Sequence, residues 1–368
     1  MESVVTMNSD FYRGKKVLIT GHTGFKGSWL TRMLVNAGAE IAGYSRCSEK
    51  DLSLFEMADV KHKIAHYKGD VRDLEHLKKV FSEFRPEIVF HLAAQPLVRD
   101  SYQEPVYTYE TNVMGTVNLL ECIRLTSSVR SVLNVTTDKV YHNNEWCWGY
   151  REDEPLDGFD PYSNSKSCSE LVTHSYKNSF FLDGRVAVST ARAGNVIGGG
   201  DFAKDRIIPD SVRAAAAGKT IGVRNPYSTR PYQHVLEPLA VYLTIAARQY
   251  EDSSCQGYYN VGPDDCDCMT TGDLVELFCR CWGDGASWES QAEADAPHEA
   301  NYLKLDCSKV KSVFGWRPRW HMEECMKMVC QFEKVRLSGG DITGEMDREI
   351  DTFYGQEKEK RFPVNENR

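Results

Sequence analysis

Tyr162 and Lys166 stand four residues apart in Tyr162-Ser163-Asn164-Ser165-Lys166. On a helix, that spacing puts both side chains on one face. An ammonium beside a phenol favours phenolate and lowers a pKa that is ordinarily near 10. A phenol tuned in this way can take the proton of an alcohol while hydride leaves the same carbon. Pro161 just before the pair fits a helix start. Thr137 ends an apolar run, where a hydroxyl can orient the reacting alcohol. Asp138 and Lys139 follow it directly. A simple dehydrogenase needs neither. Oxidation of one carbon to a ketone acidifies the proton on the next, so a base and an acid there can eliminate water. Asp138 fits the acid if burial raises its pKa, and Lys139 fits the base if its pKa is lowered.

Hydride chemistry requires a carrier, and Gly21-His22-Thr23-Gly24-Phe25-Lys26-Gly27 offers a place for one. The loop follows a predicted strand and opens a predicted helix, which is the context that gives a glycine fingerprint meaning. The first glycine permits the tight turn, the second lets a pyrophosphate approach the backbone, and the third lets helix and strand pack closely. The helix N-terminus then offers free N–H groups and a positive dipole end. Thr23, Phe25 and Lys26 are cofactor candidates with these glycines. At the end of the second strand, where a ribose-binding carboxylate usually stands, the chain has Gly43-Tyr44-Ser45-Arg46. Arg46 can accommodate a 2′-phosphate, which leaves NADP open beside NAD. Asp70-Val71 after the third strand, and Leu92-Ala93-Ala94 after the fourth, are further cofactor candidates.

These residues need a scaffold, and alternating apolar strands and helices supply one. Strands are predicted at 16–20, 40–44, 64–67, 87–92 and 131–135. Helices are predicted at 28–37, 74–84 and 106–125, and Leu74, Leu77, Val80, Phe81 and Phe84 recur at helical steps. Regular alternation implies parallel strands with crossover helices, hence an α/β doubly wound parallel sheet of Rossmann type. Beyond about Gly194 the pattern breaks into glycine- and proline-punctuated segments. Residues 11–193 are read as the dinucleotide-binding domain, with a strand near 257–261 returning to it. Residues 194–335 are read as a smaller, mostly helical substrate lobe, and 357–368 as a disordered tail.

Net charge is −9, so the chain has no general electrostatic attraction for nucleic acid or anionic lipid. No run approaches the roughly 18 apolar residues of a membrane span. The first ten residues lack a signal-peptide core, so a cytoplasmic location is expected. The twelve cysteines include Cys266/Cys268 and Cys279/Cys281, whose spacing is not that of common zinc sites. Reduced thiols and no metal are expected.

The G-x-x-G-x-x-G spacing resembles the extended branch of the short-chain dehydrogenase/reductase superfamily. Longer blocks narrow the resemblance, namely residues 21–30, 91–99, 137–141, 148–152, 160–163, 192–201 and 230–238. Together they resemble the CDP-glucose 4,6-dehydratases over about residues 11–320. That resemblance implies a tightly held NAD, used and regenerated in each turnover. CDP-glucose would lose hydride from C4 and water across C5 and C6, then regain hydride at C6. By the same likeness Tyr162 is the C4-hydroxyl base, Lys166 its partner, Thr137 the orienter and Asp138 the C6 acid. Related dTDP-glucose dehydratases carry Glu where Lys139 stands, so the identity of the C5 base stays open. Asn112 matches a superfamily position that supports the active site. Asn195, Arg206 and Arg230 are diphosphate candidates, since a guanidinium fork suits that group. The branch commonly forms homodimers or higher homo-oligomers. The alternatives are another nucleotide-sugar dehydratase or an epimerase, of UDP-GlcNAc or dTDP-glucose type, and a non-catalytic dinucleotide sensor.

Overall fold

A computed structural model describes residues 9–46, 53–291 and 302–355; the tail expectation at 357–368 lies outside these. Seven strands form one parallel sheet: β1 (Lys16–Thr20), β2 (Glu40–Ser45), β3 (Ala65–Lys68), β4 (Ile88–His91), β5 (Ser131–Thr137), β6 (Ala187–Ala193) and, after three strands that belong to other sheets, Tyr258–Val261. Their spatial order is β3-β2-β1-β4-β5-β6 followed by Tyr258–Val261, with every pairing parallel.

Both faces of the sheet are covered, and β1, β4, β5 and β6 are buried along nearly their whole length. Side chains alternate along a strand, so neighbouring residues enter different cores. Val17 and Ile19 pack with Trp29, Leu30 and the helix Leu236–Glu251, whereas Leu18 packs with Leu77, Phe81, Leu119 and Ile123. The same division separates Ile88 and Phe90 from Val89.

Element boundaries show what tertiary context adds. The first helix after β1 runs Phe25–Asn36, beginning within the glycine loop and three residues before the apolar periodicity. The segment predicted as one helix over 106–125 is Pro105–Tyr109, a π turn at Glu110–Met114 and Gly115–Leu125. The lobe has its own core, in which Ile208, Val212, Leu274, Phe278 and Met326 meet. Besides helices such as Ile207–Ala216, Thr271–Trp282 and Met322–Leu337, it contains two small sheets. Several of their strands are only three residues long, too short for a period to register. The helix Ile342–Tyr354 turns back onto helix Phe25–Asn36, where Asp347 pairs with Arg32 and Met346, Ile350 and Phe353 join its core.

Candidate active site

The strand order reverses between β1 and β4, and ligands of open α/β sheets bind at such a point, beyond the strand C-termini. Gly21 leaves β1 there with φ +76°, and a Cβ on it would lie 2.7 Å from the Ala93 nitrogen. Gly27 is tighter still: its Cβ would meet the Gly21 oxygen at 2.2 Å. Both glycines are therefore fixed by backbone contact, whereas at Gly24 the nearest such atom is 3.4 Å away. No side chain caps the helix that starts at Phe25, so its first-turn N–H groups are left for an anion. Gly27→Ala is expected to lower the melting temperature by several degrees and weaken dinucleotide binding at least tenfold, checked by thermal unfolding and by cofactor titration.

This crevice opens into a cleft of about 2290 Å³. Pockets for one small ligand rarely exceed about 1,000 Å³, so the space suits two sizeable ligands side by side. Gly21, Thr23–Gly27, Arg46, Asp70, Val71 and Leu92–Ala94 line one part. Thr137, Asp138, Lys139, Tyr162 and Lys166 line the middle, and Asn195, Arg206 and Arg230 the part facing the lobe. The structure thus brings together every candidate residue except Asn112, which is buried behind the cleft.

Asn112 acts on the backbone. It accepts from the Gln95 amide at 2.8 Å and donates to the Gln95 carbonyl at 3.0 Å and to Ser165 Oγ at 2.9 Å. Ser165 lies between Tyr162 and Lys166 on the helix Pro161–Phe180. That helix starts with Pro161 in its first turn and Asp160 as its cap, whose carboxylate accepts from the Ser163 amide at 2.9 Å and from Ser163 Oγ at 2.6 Å.

Lys166 is buried and donates from Nζ to the Val135 carbonyl at 3.0 Å. Burial lowers its pKa to about 8, against the pull of Glu170. Burial also raises Tyr162 to about 12, although a hydrogen bond with Thr137 and the Arg206 charge act in the opposite direction. In the protein alone, desolvation of the phenolate therefore outweighs the depression expected from a neighbouring ammonium. Asp138 is 2 % exposed and its pKa is raised by burial, in spite of Lys139, Thr137 and Arg230. Its Oδ1 accepts from Thr137 Oγ1 at 3.0 Å, while Oδ2 is buried without a hydrogen-bond partner. A carboxyl group in that setting holds a proton more readily than one in water.

Other candidates are engaged by protein groups. Arg46 lies 3.9 Å from an Asp70 oxygen and over the Tyr107 ring, while Arg72 binds the same carboxylate at 2.9 Å. Arg206 donates to Asp201 at 2.8 Å, and Arg230 is buried with Nη1 on the Thr229 carbonyl at 3.0 Å. Arg99 and Arg224 also line the cleft, and both approach Asp205. Sequence reasoning gave neither a role, although Arg99 lies within one of its motif blocks. Arg224 carried no signal, because it reaches the cleft only through lobe packing.

Behind the catalytic helix, Glu170 forms a fully buried ion pair with Arg192 at 3.0 Å. The carboxylate also accepts from Thr136 Oγ1 at 2.5 Å and from Thr190 Oγ1 at 2.7 Å. Arg192→Leu leaves that charge buried with fewer donors, at a cost of about 3–5 kcal/mol. Denaturant unfolding is expected to show this loss, and Arg192→Lys to recover part of it.

The chain matches the GDP-mannose 4,6 dehydratase family over residues 18–329. It is 48 % identical to the CDP-glucose 4,6-dehydratase of Salmonella typhimurium, over 94 % of this chain and 98 % of that one. This chain belongs to the nucleotide-sugar 4,6-dehydratase family. A UDP-glucose 4-epimerase of Mycolicibacterium smegmatis is more distant, at 26 % identity over 86 % of this chain and 98 % of that one. Among solved structures, an NAD complex of a dTDP-glucose 4,6-dehydratase from Bacillus anthracis superposes with a TM-score of 0.76 at 21 % identity, covering 89 % of this chain and 99 % of the other. That likeness establishes the Rossmann-type fold of the family. All eleven described cysteines are free thiols, and no helix among the described residues is long and apolar enough to cross a membrane.

Proposed function

We propose that this dehydratase converts CDP-glucose to CDP-4-keto-6-deoxyglucose and water, using NAD that is regenerated within each turnover. The substrate assignment is carried by the relative of the same name, 48 % identical over nearly the full length of both chains. The site supports dehydration through the buried Asp138 in the cleft with Thr137, Tyr162 and Lys166, since C4 oxidation alone requires no such acid.

NAD supplies the hydride acceptor at C4 and the hydride donor at C6. The glycine loop and the open first turn of helix Phe25–Asn36 fit its pyrophosphate. NAD is favoured over NADP because solved dehydratases of this fold hold NAD. Tyr162 takes the proton of the C4 hydroxyl, with Thr137 holding that hydroxyl and Lys166 stabilising the phenolate. Lys139 removes the C5 proton, now acidified by the ketone, and returns it to C5 when C6 is reduced. Asp138 gives its proton to the C6 hydroxyl, which leaves as water. Asn195, Arg206 and Arg230 hold the diphosphate, so residues 11–193, with the strand Tyr258–Val261 returning to them, serve the dinucleotide, and the rest of 194–335 serves the sugar nucleotide.

The decisive experiment offers CDP-glucose, UDP-GlcNAc and dTDP-glucose in turn and identifies the products. Formation of a 4-keto-6-deoxy product from CDP-glucose is expected, and turnover of UDP-GlcNAc alone would overturn the assignment. We also propose a homodimer in the cytoplasm. Val106, Met114 and Leu171 are half or more exposed on packed neighbouring helices, an apolar surface that a second copy would cover. Light scattering is expected to give twice the chain mass.

A further inference from the structure

Outside the cleft, the lobe brings a thiol, a carboxylate and an imidazole to one point. Cys266 and Asp267 sit on a single 3₁₀ turn at Asp265–Asp267, and His321 caps the helix Met322–Leu337. One potential ligand atom from each lies within 4.8 Å of the others. We propose that Cys266, Asp267 and His321 bind a zinc ion, with solvent as the fourth ligand.

The donor set is that of zinc chemistry: Cys, His and carboxylate are its usual ligands, and three protein donors leave one position open. Two of the three donor separations are close to those of such a site, and the third, between Cys266 and His321, is within 4.8 Å. A tetrahedral ion about 2.3 Å from sulfur and about 2.0 Å from oxygen holds those two atoms about 3.5 Å apart. Cys266 Sγ lies 3.7 Å from Asp267 Oδ2. His321 Nδ1 lies 2.9 Å from the same oxygen, the length of a hydrogen bond. An ion that replaces the shared proton must open this edge by about 0.4 Å, which the largely exposed His321 side chain can do. The carboxylate itself is fixed, because Asp267 is buried and its Oδ1 accepts from the Met322 amide at 2.9 Å. The anchor is thus rigid and the other two donors are accessible.

The surroundings favour a cation as well. Asp273, Glu276 and Glu323 line the depression beside His321, with Arg280 as its basic member. Asp264 faces both Cys266 and His321, although its carboxylate pairs with Lys311. Binding exchanges protons for metal: the thiol must lose one, and His321 must give up the one it shares with Asp267. Affinity therefore rises with pH. None of the three residues lines the catalytic cleft, so the ion would cross-link the turn after Tyr258–Val261 to the start of helix Met322–Leu337 and take no part in the reaction.

The test uses the full-length dehydratase with its cofactor, and titrates it with Zn²⁺ and, as a spectroscopic probe, Cd²⁺. Wild type is expected to hold one more equivalent than Cys266→Ser or His321→Ala, with at least a tenfold loss of affinity at this site in each variant. Turnover without metal is expected to be equal in all three. Cys266 is exposed, so its alkylation rate gives a measurement independent of the variants' folding. Zn²⁺ should slow modification of the Cys266 peptide at least tenfold, and a chelator should restore it. Equal stoichiometry in wild type and His321→Ala, or an unchanged Cys266 alkylation rate, would overturn the proposal.

Discussion

Asp138→Asn is expected to leave an enzyme that oxidises its sugar once and then stalls. The amide can still accept from Thr137, so the local geometry survives, but it has no acidic proton to give. Departure of the C6 hydroxyl without an acid raises the barrier to elimination. General acid catalysis typically contributes about 10²–10⁴ in rate, and a loss of that order in product formation is expected. The distinguishing reading is optical. Mixing the variant with CDP-glucose should give reduced nicotinamide that persists, up to one equivalent per site, because the hydride has no C6 carbon ready to receive it. Asp138 is suited to the role by its surroundings: it is buried, its pKa is raised by that burial, and Oδ2 has no protein partner. Product formation at the wild-type rate would remove Asp138 from the mechanism.

Tyr162→Phe should fail one step earlier. Without the phenolic oxygen, nothing takes the C4 proton as hydride departs. Turnover is expected to fall by about 10²–10⁴, with no reduced nicotinamide formed on mixing. Cofactor content should match wild type, since the glycine loop and the helix N-terminus that hold it are untouched. If bound NAD falls in parallel with activity, Tyr162 anchors the cofactor and its role as base is lost. Together the two variants separate oxidation from elimination: one stops before the hydride moves and the other after.

The sequence by itself determined the parts of this protein that depend on local chemistry. Gly21-x-x-Gly24-x-x-Gly27 between a strand and a helix specifies a dinucleotide loop, because few other residues survive contacts as close as those at Gly21 and Gly27. Tyr162 and Lys166 share a face for the simple reason that they are four apart on a helix. Alternating strands and helices similarly determined the parallel sheet, since parallel neighbours need crossover helices that cover its faces.

Only the tertiary structure decided what depends on distant neighbours. The protonation tendencies of Tyr162 and Asp138 follow from burial, which no spacing rule contains. Asn112 works through Gln95 and Ser165, the latter 53 positions away in the chain. Arg224 reaches the cleft only once the lobe has packed. The return of helix Ile342–Tyr354 to helix Phe25–Asn36 is a contact between chain ends, invisible to local periodicity. Cys266, Asp267 and His321 meet for the same reason. His321 reaches Asp267 from 54 residues away in the chain.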